Sequence, residues 1–185
     1  MKKFILTAIV AVASVAANAQ VWVGGEVGYN TSKITIDGTK ANAENTVTIL
    51  PEIGYSLNEN WDVAVAIGYK HGDEKEHITG EFVGTNSFIL NPYVRYSYAK
   101  VGDLKFFVDG GFSYMNTHFC GDDDNMNSWS LGFKPGLAYS VSPKTTLVAH
   151  LGDLSYGFSK IGDVKKNSFN LDLKNSITFG VYFSL

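Results

Sequence analysis

Along much of the chain apolar and polar residues alternate one by one, the period of a β-strand whose two faces meet different surroundings. In residues 61–70, Trp61, Val63, Val65, Ile67 and Tyr69 share one face, and Asp62, Ala64, Ala66, Gly68 and Lys70 share the other. In residues 104–115, Leu104, Phe106, Val108, Gly110, Phe112 and Tyr114 oppose Lys105, Phe107, Asp109, Gly111, Ser113 and Met115. In residues 129–141, Trp129, Leu131, Phe133, Pro135, Leu137, Tyr139 and Val141 oppose Ser130, Gly132, Lys134, Gly136, Ala138 and Ser140. The same reading predicts eight strands, at about 20–30, 46–57, 61–71, 86–98, 104–115, 129–141, 145–156 and 168–185. Most are longer than an ordinary globular strand and suit the roughly 9–11 tilted residues that cross a bilayer.

The strands come in pairs that repeat. Residues 51–57 (PEIGYSL), 92–98 (PYVRYSY) and 135–141 (PGLAYSV) all read Pro-x-apolar-x-Tyr-Ser-apolar, or a close variant, and 179–185 (FGVYFSL) is a degenerate fourth copy. Between them, Val27-Gly28-Tyr29, Ile67-Gly68-Tyr69, Phe112-Ser113-Tyr114 and Leu154-Ser155-Tyr156 each read apolar-small-Tyr. Four two-stranded units give eight strands. A propeller or solenoid needs more strands per unit, or more units, than the chain supplies. The connections alternate in length: 58–60, 99–103 and 142–144 are tight, whereas 31–45, 72–85, 116–128 and 157–167 are longer and polar. Outer-membrane barrels keep short turns in the periplasm and long loops outside.

The chemistry of the two faces decides which one is enclosed. The bulky apolar face is bordered by aromatics, while the other is mostly Gly, Ala and Ser with single charges. Such a face suits a narrow lumen better than a solvated exterior. The pattern therefore predicts an all-β fold, an eight-stranded antiparallel up-and-down transmembrane β-barrel. Tyr29, Tyr69, Tyr114 and Tyr156 form one predicted aromatic girdle, near the loops. Tyr55, Trp61, Tyr96, Tyr139 and Phe183 form the other, near the turns. A soluble lipocalin-like binder is the opposite arrangement, with its Lys and Asp facing out.

The enclosed face carries Glu26, Glu52, Asp62, Asp109 and Asp172 against Lys70, Arg95, Lys105, Lys134 and Lys174, so the signs balance. Unpaired charge in a narrow interior is costly. A salt-bridge network centred on Glu26, Glu52, Arg95, Asp109 and Lys134 is expected to plug the lumen, since eight strands leave room for little but side chains. Two features strain the simple pattern. Pro51, Pro92 and Pro135 lie mid-strand, where a missing N–H weakens a ladder. Strand 7 changes phase between Leu151 and Leu154, which a bulge near Gly152-Asp153 would reconcile.

The N-terminus reads as an export signal: Met1-Lys2-Lys3, an apolar stretch from Phe4 to Val12, and Ala17-Asn18-Ala19. The expected division is a signal peptide at 1–19 and a barrel domain at 20–185. No segment after Gln20 is long and apolar enough for a spanning helix. Without Lys2 and Lys3 the net charge falls from −3 to near −5 (13 basic against 18 acidic), so nothing points to nucleic acid. Cys120 is the sole cysteine and builds no disulfide framework.

Export signal, four hairpins and the terminal strand Ile177–Leu185 together resemble the small outer-membrane β-barrel family typified by OmpX and the OmpA membrane domain, with Bacteroidetes-type members nearest. The resemblance implies residence in the outer membrane of a Gram-negative bacterium, among outer-membrane lipid and lipopolysaccharide. It also implies that Phe179, Val181, Phe183 and Leu185 form the insertion signal read by the barrel-insertion machinery. The family commonly ends in Phe, and here the last residue is Leu185.

Some barrels of this size modify lipid A, a chemistry that needs a recognisable set of residues. A nucleophilic serine needs a histidine in reach and a third group to orient it, and around His71, His77, His118 and His150 no His-x-Ser occurs. Asp122-Asp123-Asp124-Asn125 offers oxygens of the kind Ca²⁺ takes, without EF-hand spacing. The reading favoured is a non-enzymatic barrel without cofactor or metal, with an envelope role or loops that meet a host or surface ligand. The alternative is a lipid A-modifying enzyme or a small ion-conducting channel.

Overall fold

Each predicted strand forms, and each runs further than its apolar pattern. The computed structural model describes residues 21–36, 39–75, 82–120 and 125–185, with side chains except at 30–44, 73–75, 82–83 and 172–177. The expected signal peptide, His77 and Asp122–Asp124 lie outside the described residues. The strands are β1 (Val21–Ile36), β2 (Thr39–Ser56), β3 (Trp61–Lys75), β4 (Phe82–Val101), β5 (Leu104–Phe119), β6 (Asn125–Ser142), β7 (Thr145–Ile161) and β8 (Val164–Ser184). Each pairs antiparallel with the next, and β8 closes on β1. Closure is what a spanning sheet requires, because an open edge in hydrocarbon would leave N–H and C=O groups unpaired.

The long polar stretches at 31–45, 72–85, 116–128 and 157–167 are therefore mostly paired strand, not loop. The last of them shrinks to a turn at Gly162-Asp163, with Gly162 in the left-handed region at φ 53°. The reason is physical. Beyond the apolar band no face needs to be greasy, so the period-two signal fades while backbone pairing continues. At the opposite end the turns are short. In the first, Asn58 Oδ1 accepts from the backbone N–H groups of Asn60 and Trp61 at 2.9 and 3.0 Å, a local turn device.

Among the described residues the β1–β8 seam runs from Trp22↔Ser184 to Val27↔Phe179. Each mid-strand proline faces a gap in the ladder toward the following strand. Around Pro51 and Pro92 the register on either side of the gap is unchanged, so these are unpaired-amide sites. Around Pro135 the register shifts by one. That shift, with a second one between Leu151 and Asp153 toward β8, is the bulge that reverses the phase of β7.

Side chains sort by the same alternation. Facing out are Val27, Ile49, Ile67, Phe88, Phe112, Leu131, Phe133, Leu171 and Phe179, all exposed. Facing in, the turn-side half of the lumen is packed with Trp22, Tyr93, Phe107, Ala138, Val148 and Tyr182. Space for the rings comes from inward glycines: a Cβ on Gly54 would meet the Trp22 ring at 2.1 Å, and one on Gly136 would meet Phe107 at 2.3 Å.

Candidate functional site: the charged lumen and the outward rim

Above the aromatic layer, β1, β2, β4, β5 and β7 each point a polar side chain to the barrel axis. Arg95 on β4 and Asp109 on β5 are register partners. Their side chains meet in a fork, Arg95 Nε donating to Asp109 Oδ1 and Nη2 to Oδ2, both at 2.7 Å. The bidentate geometry is the strong form of this bond. On the other side of Asp109, His150 Nε2 lies 2.7 Å from Oδ2, and His150 Nδ1 lies 2.7 Å from Glu26 Oε1. Thr178 donates its hydroxyl to Glu26 Oε2 at 2.8 Å. Glu52 accepts from Tyr182 at 3.0 Å and also from Tyr93.

The result is one continuous chain of contacts across the lumen, from Thr178 through Glu26, His150, Asp109, Arg95 and Tyr182 to Glu52 and Tyr93. All of its charged members are buried. The guanidinium is further enclosed by rings. Its carbon lies 3.9 Å from the Phe107 centroid and 5.2 Å from that of Tyr182, within cation–π range. Trp22 stacks on Tyr182 at 4.4 Å, and Phe107 meets His150 edge-on at 5.3 Å. Toward the loops lies a cavity of about 180 Å³, which Lys134, Asp153 and Ser155 help to line. Beyond it the wall is hydroxylic, with Thr85, Ser87 and Thr117 fully buried and Ser87 bonded to Thr117 at 2.8 Å.

The structure thus brings together Glu26, Glu52, Arg95 and Asp109. Lys134 faces the same cavity, opposite Asp109 in register, and forms no ion pair among the described residues. Asp62, Lys70 and Lys105 are half-buried on the inner face toward its two ends. The side chains of Asp172 and Lys174 lie outside the described residues. His150, Trp22, Tyr93, Tyr182 and Thr178 are members that sequence reasoning did not select. Alternation contained the clue for His150, because Leu147, Ala149 and Leu151 take one face and leave His150 on the other.

Outside, Tyr29, Tyr69 and Tyr156 are exposed toward the loops, with Tyr114 half-buried among them. Tyr55, Trp61, Tyr96, Tyr139 and Phe183 are exposed toward the turns. On the loop-side rim, tyrosine hydroxyls donate diagonally to asparagines: Tyr29 to Asn45 at 3.2 Å, Tyr69 to Asn86 at 2.5 Å and Tyr114 to Asn127 at 2.7 Å. His71 and His118 bond there to Asn86 and Asn125 rather than to a serine. On β8, Phe179, Val181 and Phe183 face outward, and Leu185 just past its end is exposed.

Among curated proteins, no relative matches this chain. Solved structures of similar fold include Neisserial surface protein A (NspA) from Neisseria, at 15% identity and a TM-score of 0.55, covering 91% of this chain and 98% of that one. Another is the outer membrane protein OprG from Pseudomonas aeruginosa, at 12% identity and a TM-score of 0.54, covering 90% and 96%. At such identity these show the fold alone, a small outer-membrane barrel. The model of the outer membrane protein beta-barrel domain matches residues 4–176. The chain therefore belongs to the outer membrane protein beta-barrel domain family, and its place is the outer membrane of a Gram-negative bacterium.

Proposed function

We propose that this is a non-enzymatic, plugged barrel, a scaffold that holds its loop-side hairpins rigidly at the cell surface for envelope stabilisation or contact with a surface or host ligand. One observation carries this reading: the lumen is crossed by the buried Glu26–His150–Asp109–Arg95 chain, with Trp22, Tyr93, Phe107 and Tyr182 filling the section below it. An open diffusion path needs a wetted channel through that section, and eight strands give little width to spare.

Two further features fit. The hairpins continue as paired strand past the tyrosine rim, which makes them stiff presenting surfaces rather than loose loops. The charged groups of the Glu26–His150–Asp109–Arg95 chain are committed to one another, an arrangement for holding a core together rather than for attacking a substrate. Export by the 1–19 signal and insertion read from Phe179, Val181, Phe183 and Leu185 complete the proposal.

Planar-bilayer recording on the refolded barrel is expected to give no conductance at the level of an open porin. Steady porin-sized steps would overturn the plugged reading.

A further inference from the structure

The bulge of β7 has a chemical consequence inside the barrel. Leu147, Ala149 and Leu151 take the outer face, and unbroken alternation would carry Asp153 to the lipid side with them. The register shifts at Pro135 and between Leu151 and Asp153 reverse the phase, so Leu154 turns outward and Asp153 turns in. Re-aiming a side chain beside a site is a recurrent use of a bulge. Asp153 enters the cavity above the ion chain, and its Oδ1 is buried there without a hydrogen-bond partner. The register partner of Asp153 on β8 is Asp172, a second acid and no counter-charge. A buried carboxylate oxygen that receives no donor is costly.

The complementary charge lines the same cavity. Lys134 follows Phe133 on β6, and Asp153 precedes Leu154, the register partner of Phe133 on β7. On its other side Lys134 is opposite Asp109, which is already engaged: Oδ1 accepts from Arg95 Nε, and Oδ2 meets Arg95 Nη2 and His150 Nε2. Among the described residues neither Lys134 nor Asp153 forms an ion pair. One cation and one anion therefore border the cavity, each short of a partner.

The rest of the wall fixes the size and character of what would fit. Asn91, Ser113, Ser130 and Ser155 add neutral hydrogen-bonding groups, and the floor is the ion chain at Glu26, His150 and Asp109. The volume is about 180 Å³. At roughly 30 Å³ per water-sized unit of liquid, that is room for about six non-hydrogen atoms. A simple cation would be repelled by Lys134, and a simple anion by Asp153. A molecule of this size that carries both signs answers both groups at once.

We propose that the lumen cavity is a binding site for a small zwitterion, its carboxylate on Lys134 and its ammonium on Asp153. The layer of Trp22, Tyr93, Phe107 and Tyr182 closes the section below, so the pocket is blind and holds a solute rather than passing it. The blind end rests on the plugged reading, which bilayer recording tests by itself; binding does not depend on it.

The site is tested on the full folded barrel, ¹⁵N-labelled in detergent micelles, by following the amide signals of Gly132 and Ser155 during titration. Three probes are compared: alanine, propionate, which lacks the ammonium, and ethylammonium, which lacks the carboxylate. Alanine is expected to shift both signals saturably and to bind the wild-type barrel roughly ten- to a hundredfold more tightly than either single-charge probe. Lys134→Met and Asp153→Asn, each checked for folding by heat-modifiable gel mobility, should each bring alanine down to the single-charge level. Lys144→Gln at the turn end should leave alanine binding as it is. The three-probe comparison on the wild-type barrel decides even if a variant fails to fold. Three equal responses, or no saturable response to alanine, would mean a cavity that holds water alone and would overturn the site. Alanine binding unchanged in both folded variants would overturn the assignment to Lys134 and Asp153.

Discussion

Replacing Arg95 by leucine is expected to destabilise the folded barrel by about 3–5 kcal/mol. The cost arises less from lost attraction than from what is left behind. Asp109 would keep its charge in a buried site with only His150 beside it, and Tyr182 would lose the guanidinium against which it rests. Removing both partners, as Arg95→Leu/Asp109→Leu, should recover much of that loss, because no orphaned ion then remains. Arg95→Lys should fall between, since a single ammonium cannot reproduce the fork on Asp109. Reversible urea unfolding in detergent micelles, followed by heat-modifiable gel mobility, measures all three. A single leucine variant within about 1 kcal/mol of wild type would mean that the lumen chain contributes little to stability, against the usual cost of breaking a buried pair.

The second large effect belongs to the outer face. Phe133 lies about midway between Trp129 and Tyr139 on β6 and is 55% exposed, facing lipid in this account. Phe133→Arg should cost about 2–4 kcal/mol, the penalty for a cation near the bilayer midplane of a barrel. Val141→Arg, on the same face at the turn end, should cost only about 0–1 kcal/mol. The gradient is the informative quantity. A soluble barrel would put both residues in water, and the two substitutions would then be similarly mild. Equal effects at 133 and 141 would displace the membrane band from where the tyrosines put it.

The strand set was legible because the membrane imposes a simple rule on alternate residues, and Trp61–Lys70 follows it without exception. Strand length was not legible. Once past Tyr69 the next outward position is His71, which water accepts as readily as lipid rejects it, so the hydrophobic period stops where the ladder does not. The prolines were visible but ambiguous. Only the register shows that Pro51 and Pro92 leave an amide gap without displacement, whereas the gap at Pro135 coincides with the bulge of β7. In the lumen, alternation selected Glu26, Glu52, Arg95 and Asp109 by sign and face. It did not reveal that His150 is the link between Glu26 and Asp109, because that contact joins strands far apart in the sequence and depends on ring placement across the lumen. Nor did it show that aromatic residues divide between the faces, with Trp22, Tyr93 and Tyr182 inside.

The three tryptophans permit a direct measurement of which side of the sheet meets lipid. Trp61 and Trp129 are 42% and 36% exposed on the outer face, one near each end, while Trp22 is 7% exposed inside the lumen. Single-tryptophan variants, with the other two changed to phenylalanine, can be folded into bilayers that carry bromine on the acyl chains. Fluorescence from Trp61 and from Trp129 should be strongly quenched, and that from Trp22 should stay near its value in unbrominated lipid. Quenching of Trp22 with sparing of Trp61 would show the sheet turned inside out, with the charged face outward and the apolar face enclosed.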